Sequence, residues 1–331
     1  MNKARIISSF IFLSLVTTMA SAQEWTQWRG PARDGSISSK DALVTWPEAL
    51  KRSWRVEIGE GYSSPVVAGG RVFVHGRRDP EEIVSSINLA DGKIVWQQKY
   101  QAEFKKNQYA VEMAKGPHAT PLVAGNRLFT LGVTGILNAW DTAVGMTEGS
   151  IVGLEGKTGK ELWTIAFPDE WHENISTPLW TGTHLVVSGT RQGTHAYTLT
   201  QVDGKWHATE VWKNPDIAMY MSSPVFGDGL IYGHSSKKKG QFFALDAKTG
   251  TVRWTTEGRE GEHASLLLTP QHIIFLTNGA DLIVAKRGTP AFTVERRYEV
   301  AEAATFATPI LLGSNIVVRD ATGLMLLTAG K

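Results

Sequence analysis

The chain has 331 residues, 42% hydrophobic and 20% charged, a globular balance that excludes a disordered chain. With 34 Lys+Arg against 32 Asp+Glu, the net charge of +2 and the lack of a basic block argue against a dedicated nucleic-acid binder. Cysteine is absent, which removes disulfides, thiolate metal sites, cysteine nucleophiles and cysteine-linked lipid. Residues 1–22 read as a signal peptide: Lys3 and Arg5, an apolar run from Ile6 to Ala20, then the small residues Ala20-Ser21-Ala22. The expectation is cleavage after Ala22, leaving a periplasmic or secreted domain over 23–331 with no membrane anchor.

The 33 glycines and 12 tryptophans suggest a repeat of tight turns and indoles. One mark is a small hydroxyl residue before proline, opening an apolar run: Ser64-Pro65, Thr120-Pro121, Thr177-Pro178, Ser223-Pro224 and Thr308-Pro309, with Ser265-Leu266 as a sixth copy lacking proline. From position 65 the spacings are 56, 57, 46, 42 and 43 residues. Each opening leads through a Gly/Asn/Asp turn into a second apolar run, the pattern of a β-hairpin. The second mark closes each unit. Ala244–Trp254 reads Ala-Leu-Asp-Ala-Lys-Thr-Gly-Thr-Val-Arg-Trp, and Gly153–Trp163 and Ser86–Trp96 fit the same frame. It reads as a strand, a glycine turn and a return strand that ends in an indole.

The closures are Trp54, Trp96, Trp163, Trp212, Trp254 and Tyr298, six against six openings. Trp54 precedes every opening, whereas the last opening, at Thr308, reaches Lys331 without a closing tryptophan. A circular arrangement explains both: an all-β propeller of about six four-stranded blades, its last blade completed by the N-terminal strand Ser53–Ile58 against Leu324–Leu327. Ala139-Trp140-Asp141 starts a closing frame that fails at Gly149, so residues 141–152 are expected to be irregular. Either the second blade carries an extra strand there, or ancestral sequence has been lost.

The Ala-x-Asp-x-x-Thr-Gly-x-x-x-Trp frame resembles the tryptophan-docking repeat of quinoprotein propellers. Those include pyrroloquinoline quinone (PQQ) dehydrogenases and many non-catalytic relatives. Trp28-Arg29-Gly30-Pro31 with Asp34-Gly35, Lys115–Pro121 and Gly240–Asp246 resemble segments of bacterial secreted PQQ-like propellers. At the level of the repeat the chain is also similar to BamB, the lipoprotein of the outer-membrane barrel-assembly machinery. The resemblance implies that the six closing residues dock structurally between blades. It also implies a common count of eight blades, with the shortfall near residues 143–150.

A PQQ dehydrogenase needs Ca²⁺ held by carboxylate and amide oxygens beside the quinone, and an aspartate base. Asp169, Glu173, Glu260 and Glu262, with Asn174, lie near blade openings and read as solvated loop charge. The nine histidines form no i,i+4 pair, although His118 and His263 each sit just before an opening strand. No metal site or catalytic residue is assigned. The expected function is a non-catalytic scaffold for a protein or ligand, with a protein partner in the cell envelope, service in cell-envelope or outer-membrane protein assembly, and no cofactor. The alternative is a PQQ- and calcium-dependent dehydrogenase. The binding surface is expected at the mouth of the central channel, from Tyr62, Lys115, His118, Asn174, Tyr220, Met221, Glu262, His263 and Phe306, with Lys238 and Gln241 on a neighbouring loop.

Overall fold

Short apolar runs cut by glycine turns leave this chain little choice but strands, and the computed structural model shows them throughout. It describes residues 24–38, 42–103, 115–124, 127–131, 144–146, 150–154, 161–169 and 174–330. The signal-peptide reading therefore lies outside the described residues.

Strand β1 (Leu50–Glu57) precedes the first repeat. The first four-stranded sheet holds β2 (Val66–Ala68), β3 (Arg71–Arg78), β4 (Glu81–Asn88) and β5 (Ile94–Gln101). Next come a pair, β6 (Leu122–Ala124) and β7 (Arg127–Phe129), and a triplet, β8 (Val144–Met146), β9 (Ser150–Leu154) and β10 (Glu161–Ala166). A second four-stranded sheet is β11 (Leu179–Trp180), β12 (Leu185–Gly189), β13 (Gly193–Val202) and β14 (Lys205–Asn214). A third is β15 (Val225–Gly227), β16 (Leu230–Ser235), β17 (Gln241–Asp246) and β18 (Val252–Thr255). A fourth is β19 (Ala264–Leu268), β20 (His272–Thr277), β21 (Asp281–Lys286) and β22 (Val294–Glu299). The last joins β23 (Ile310–Leu312), β24 (Asn315–Arg319) and β25 (Gly323–Ala329) to β1 from the other end of the chain, with Trp54 opposite Leu326 and Val56 opposite Leu324. Every sheet pairing is antiparallel, which lets tight hairpins connect successive strands. These are the blades of a β-propeller.

Of the segment expected to be irregular, 141–152, the described residues belong to the strands Val144–Met146 and Ser150–Leu154, and the rest lies outside the described residues. Within β9 the apolar Ile151 is fully buried and pairs with Ile165 of β10.

Burial follows position within a blade. β19 and β20 are buried at every residue, because both faces pack on neighbouring sheets. The outermost strands β18 and β22 each bury fully only one residue, Trp254 and Tyr298. Two of the six closing residues bond to the turn of the next sheet. Trp54 Nε1 donates to the Leu89 carbonyl at 3.0 Å, and Trp212 Nε1 to the Ala247 carbonyl at 3.1 Å. Both acceptors stand in the Asx-Gly turns of the closing frame. Gly250, at φ +70°, lies under the Trp212 indole, where an added Cβ would fall 2.4 Å from the ring. Gly92, at φ +71°, lies under Trp54 in the same way. The turn glycine thus serves its own backbone and the neighbour's indole together.

Trp254 packs on Phe292, ring centroids 5.3 Å apart, and the Tyr298 hydroxyl donates to the Pro47 carbonyl. Trp163 shares a buried cluster with Leu185 and, at its margin, Trp206. Trp96 is half-buried, 6.0 Å from Phe73 of its own sheet.

Two outcomes are expected. Removing residues 320–331 takes away the partner of β1, and thermal unfolding followed by circular dichroism should lose its single cooperative transition; an unchanged melt would refute the shared last blade. Trp254→Ala should cost about 3–5 kcal/mol in urea unfolding, as truncation of a large buried aromatic does.

Candidate functional site

The innermost strand of each blade has one edge with no partner strand, and several of the openings carry bonds that answer it. Proline can begin such a strand because it has no N–H to leave unpaired. The hydroxyl before it links neighbouring blades. Ser64 Oγ accepts the Thr308 N–H at 2.9 Å, and Ser223 Oγ accepts the Thr177 N–H at 3.2 Å. Farther along the inner strands, the segment 24–38 supplies partners. Trp25 exchanges two 2.8 Å hydrogen bonds with Val67, the Thr26 carbonyl accepts the Val123 N–H at 2.8 Å, and Gly35 and Ile37 bond to Leu268. The N-terminal segment therefore crosses from β2 and β6 to β19.

These features border an open cavity of about 220 Å³. Its wall includes the opening hydroxyls Ser64, Thr120, Ser223, Ser265 and Thr308. Two residues earlier in each extended segment, and so on the same side, stand Tyr62, His118, Met221, His263 and Phe306, joined by Ile175 from the opening at Thr177. Six openings thus face one cavity. Its floor is Trp28 and Arg29 from the N-terminal segment, with Leu266 alongside.

The collar is largely aromatic. Tyr62 lies 4.7 Å from Phe306 and edge-on to His118 at 5.4 Å, and Phe306 stacks on His263 at 5.4 Å. His263 Nε2 lies 3.2 Å from Ser265 Oγ and its Nδ1 3.3 Å from Ser222 Oγ. Ser222 Oγ also accepts the Ala264 N–H and lies 3.3 Å from His234 Nδ1. Since His234 Nε2 must donate to the Gly261 carbonyl at 3.1 Å, its Nδ1 is the acceptor for the Ser222 hydroxyl. Burial holds both imidazoles neutral, His234 down to about 4 and His263 to about 3. Among the described residues the hydroxyls of Ser222 and Ser265 are the partners of the His263 ring nitrogens.

Of the residues expected at the mouth, Tyr62, His118, Met221, His263 and Phe306 line the cavity. Asn174, Tyr220 and Glu262 stand three residues before an opening hydroxyl, an odd offset that turns them to the other side of an extended chain. Asn174 Nδ2 donates to the Phe167 carbonyl at 2.7 Å, Tyr220 is half-buried and Glu262 is exposed. Lys115 pairs with Asp79 at 2.9 Å. Lys238 lies in an exposed 3₁₀ turn, and the buried Gln241 donates to the Thr256 carbonyl at 2.6 Å. The sequence reading did not include Ile175, the hydroxyls, Trp28 and Arg29 in the site. Applying the period of two backward from each hydroxyl identifies Ile175; nothing local identifies the floor.

Comparison with known proteins places this architecture. A family profile described as outer membrane protein assembly factor BamB matches residues 32–147, 81–210 and 148–329. No curated protein sequence matches the chain significantly. Among solved structures, a chain from "Crystal Structure of Mitotic Checkpoint Complex" is similar at TM-score 0.56 and 10% identity, over 88% of this chain and 99% of that one. BamB from Moraxella catarrhalis gives TM-score 0.37 at 11% identity, over 85% and 100%. A europium-containing methanol dehydrogenase gives 0.37 at 15%, over 85% and 58%. At such identities the first likeness speaks for the fold alone.

The neutral histidines make stability depend on pH. In the unfolded chain they take up protons through their ordinary pKa near 6.5, while the folded chain stays unprotonated until about 4 at His234 and about 3 at His263. The unfolded state then binds more protons over that window, so stability falls as pH drops from 7 toward 4. By pH 5 the loss should be on the order of 2 kcal/mol per histidine. Urea unfolding at pH 7.5 and pH 5 checks this: the His234→Gln/His263→Gln protein should show a flatter dependence than the parent.

Proposed function

The chain belongs to the propeller family described as outer membrane protein assembly factor BamB, and from that premise we propose that it is an exported, non-catalytic scaffold that holds its partner at the floored central cavity. The proposed setting is the cell envelope, reached after signal-peptide cleavage near Ala22, with a role in protein assembly there. The observation that carries the reading is the lining itself: an aromatic collar and a belt of hydroxyls, contributed by all six opening segments. Concave sites with apolar walls and a few fixed polar groups are suited to recognition. Among the described residues, no helix is long and apolar enough to cross a membrane.

A calcium-bound quinone does not fit this lining. Ca²⁺ requires six to eight oxygen ligands, mostly carboxylate and amide, and none of the cavity residues carries a carboxylate or a side-chain amide. Among the described residues no cluster of three His, Asp or Glu could hold a metal. The proposal is of binding at this cavity without a calcium-held quinone.

Two measurements test it. Titration of the purified protein with PQQ and Ca²⁺ should leave the quinone absorbance unchanged; a stoichiometric spectral shift would overturn the non-catalytic reading. Phe306→Ala should weaken the partner recovered from envelope extracts by about tenfold or more, the usual effect of losing a central aromatic, with the circular-dichroism spectrum unchanged. Full retention of the partner would exclude the cavity as the binding surface.

A further inference from the structure

The floor of the cavity carries a charge that the protein leaves unbalanced. Arg29 adopts φ +60°, in the left-handed region, within the turn of the N-terminal segment. Its side chain lies on the cavity floor, and only 3% of the residue is exposed. Nη2 donates to the carbonyls of Asp34, at 2.9 Å, and Pro224. Among the described residues no carboxylate stands within ion-pair distance of the guanidinium. The acid that acts on it most, Asp34, instead has its carboxylate oxygen bonded to the Ser36 N–H at 2.8 Å and hydroxyl at 2.6 Å.

A buried cation without a counter-ion is costly, and burial draws the Arg29 pKa down to about 10. The Trp28 ring, 5.6 Å from Cζ, offsets part of that cost as a cation–π partner. The rest of the lining is poor in negative charge: hydroxyls that can donate, and the neutral His263. Above the floor the flanks are Met221, Leu266 and Phe306. The cavity of about 220 Å³ corresponds to roughly seven waters at about 30 Å³ each. It accepts a molecule of a single small ring or a short branched chain.

We propose that the cavity binds a small carboxylate, its anionic end on Arg29 and the hydroxyl belt, its compact apolar or aromatic body within the collar. One cation matches a monoanion better than a phosphate dianion, and among the described residues Arg29 is the one Arg or Lys in the lining. The inference rests on the cavity being the binding site. The carboxylate can come from a free acid or from the C-terminus of a partner chain.

Calorimetric titration of the full chain at pH 7.5 and low salt, with sodium benzoate, neutral benzamide and inorganic phosphate as probes, tests it. Benzoate should bind with Kd of roughly 1 mM or tighter, and benzamide and phosphate at least about tenfold more weakly. Arg29→Met should abolish the preference for benzoate over benzamide, and Arg29→Lys should retain part of it. Arg29 also ties down the Pro224 carbonyl, so the fold of each variant is checked by circular dichroism. If Arg29→Met fails to fold, the discrimination among the three probes by the parent chain and by Arg29→Lys decides the matter.

Equal binding of benzoate and benzamide, both lost in Phe306→Ala, overturns the carboxylate inference while the cavity remains the binding site. A benzoate preference that persists in Arg29→Met, or no benzoate binding, also overturns it. A tripeptide ending in phenylalanine, compared as free acid and as amide, identifies the source. Tighter binding of the peptide acid than of benzoate supports a partner's C-terminus, and weaker binding supports a free acid.

Discussion

A four-stranded blade standing radially has an inner edge that no strand covers, and the rest of this structure depends on how that edge is satisfied. Unpaired backbone groups near the axis are costly when removed from water. Three devices answer them here. Proline begins five of the inner segments, a serine or threonine side chain bonds to the next blade, and the N-terminal segment lies across the strands as a partial extra partner. The same devices build the cavity. The hydroxyls become its wall, the alternating positions before them its collar, and the crossing segment its floor. Structure and candidate function are therefore carried by the same residues.

Between blades the constraint is registration, and it is met differently along the ring. On the outer side, Trp54 and Trp212 reach the following turn with an N–H bond and lie flat over its glycine. At the seam between the last sheet and the first, Arg319 does the work. Fully buried, it sends Nη1 to the Ser63 carbonyl at 2.7 Å, the Ser63 hydroxyl at 2.5 Å and the His75 carbonyl at 2.7 Å. Together with the β1–β25 pairing, this joins the two ends of the repeat by both backbone and side chain. Arg319 and Arg29 are both buried cations, but their settings differ. Arg319 is fully buried and held through Nη1 alone, whereas Arg29 lines the cavity.

The propeller was legible because its signals are local. A Thr-Gly turn, an indole four residues later and a hydroxyl-proline pair each have a short-range cause, and repetition made them readable. The count of openings against closings even revealed that the first strand belongs to the last blade, a long-range fact inferred from order alone. The closing frame that begins at Ala139 is incomplete and gives no such signal; after it, β9 is held by Ile151 in a buried place beside β10.

The site was legible only where strand periodicity reached it. Tyr62, His118, Met221, His263 and Phe306 could be placed because each precedes a repeated mark by two residues. Asn174, Tyr220 and Glu262 stand one residue farther back, and an extended chain turns them away. Sequence alone thus determined the repeat, the blade order and which openings converge, since all three follow from turn chemistry and alternation. Tertiary structure alone decided the floor. Nothing local in Trp28-Arg29-Gly30-Pro31 says that it will lie beneath Ser64 and Ser265, because that position is set by hydrogen bonds to Val67, Val123 and Leu268, which lie from some forty to more than two hundred residues away in the chain.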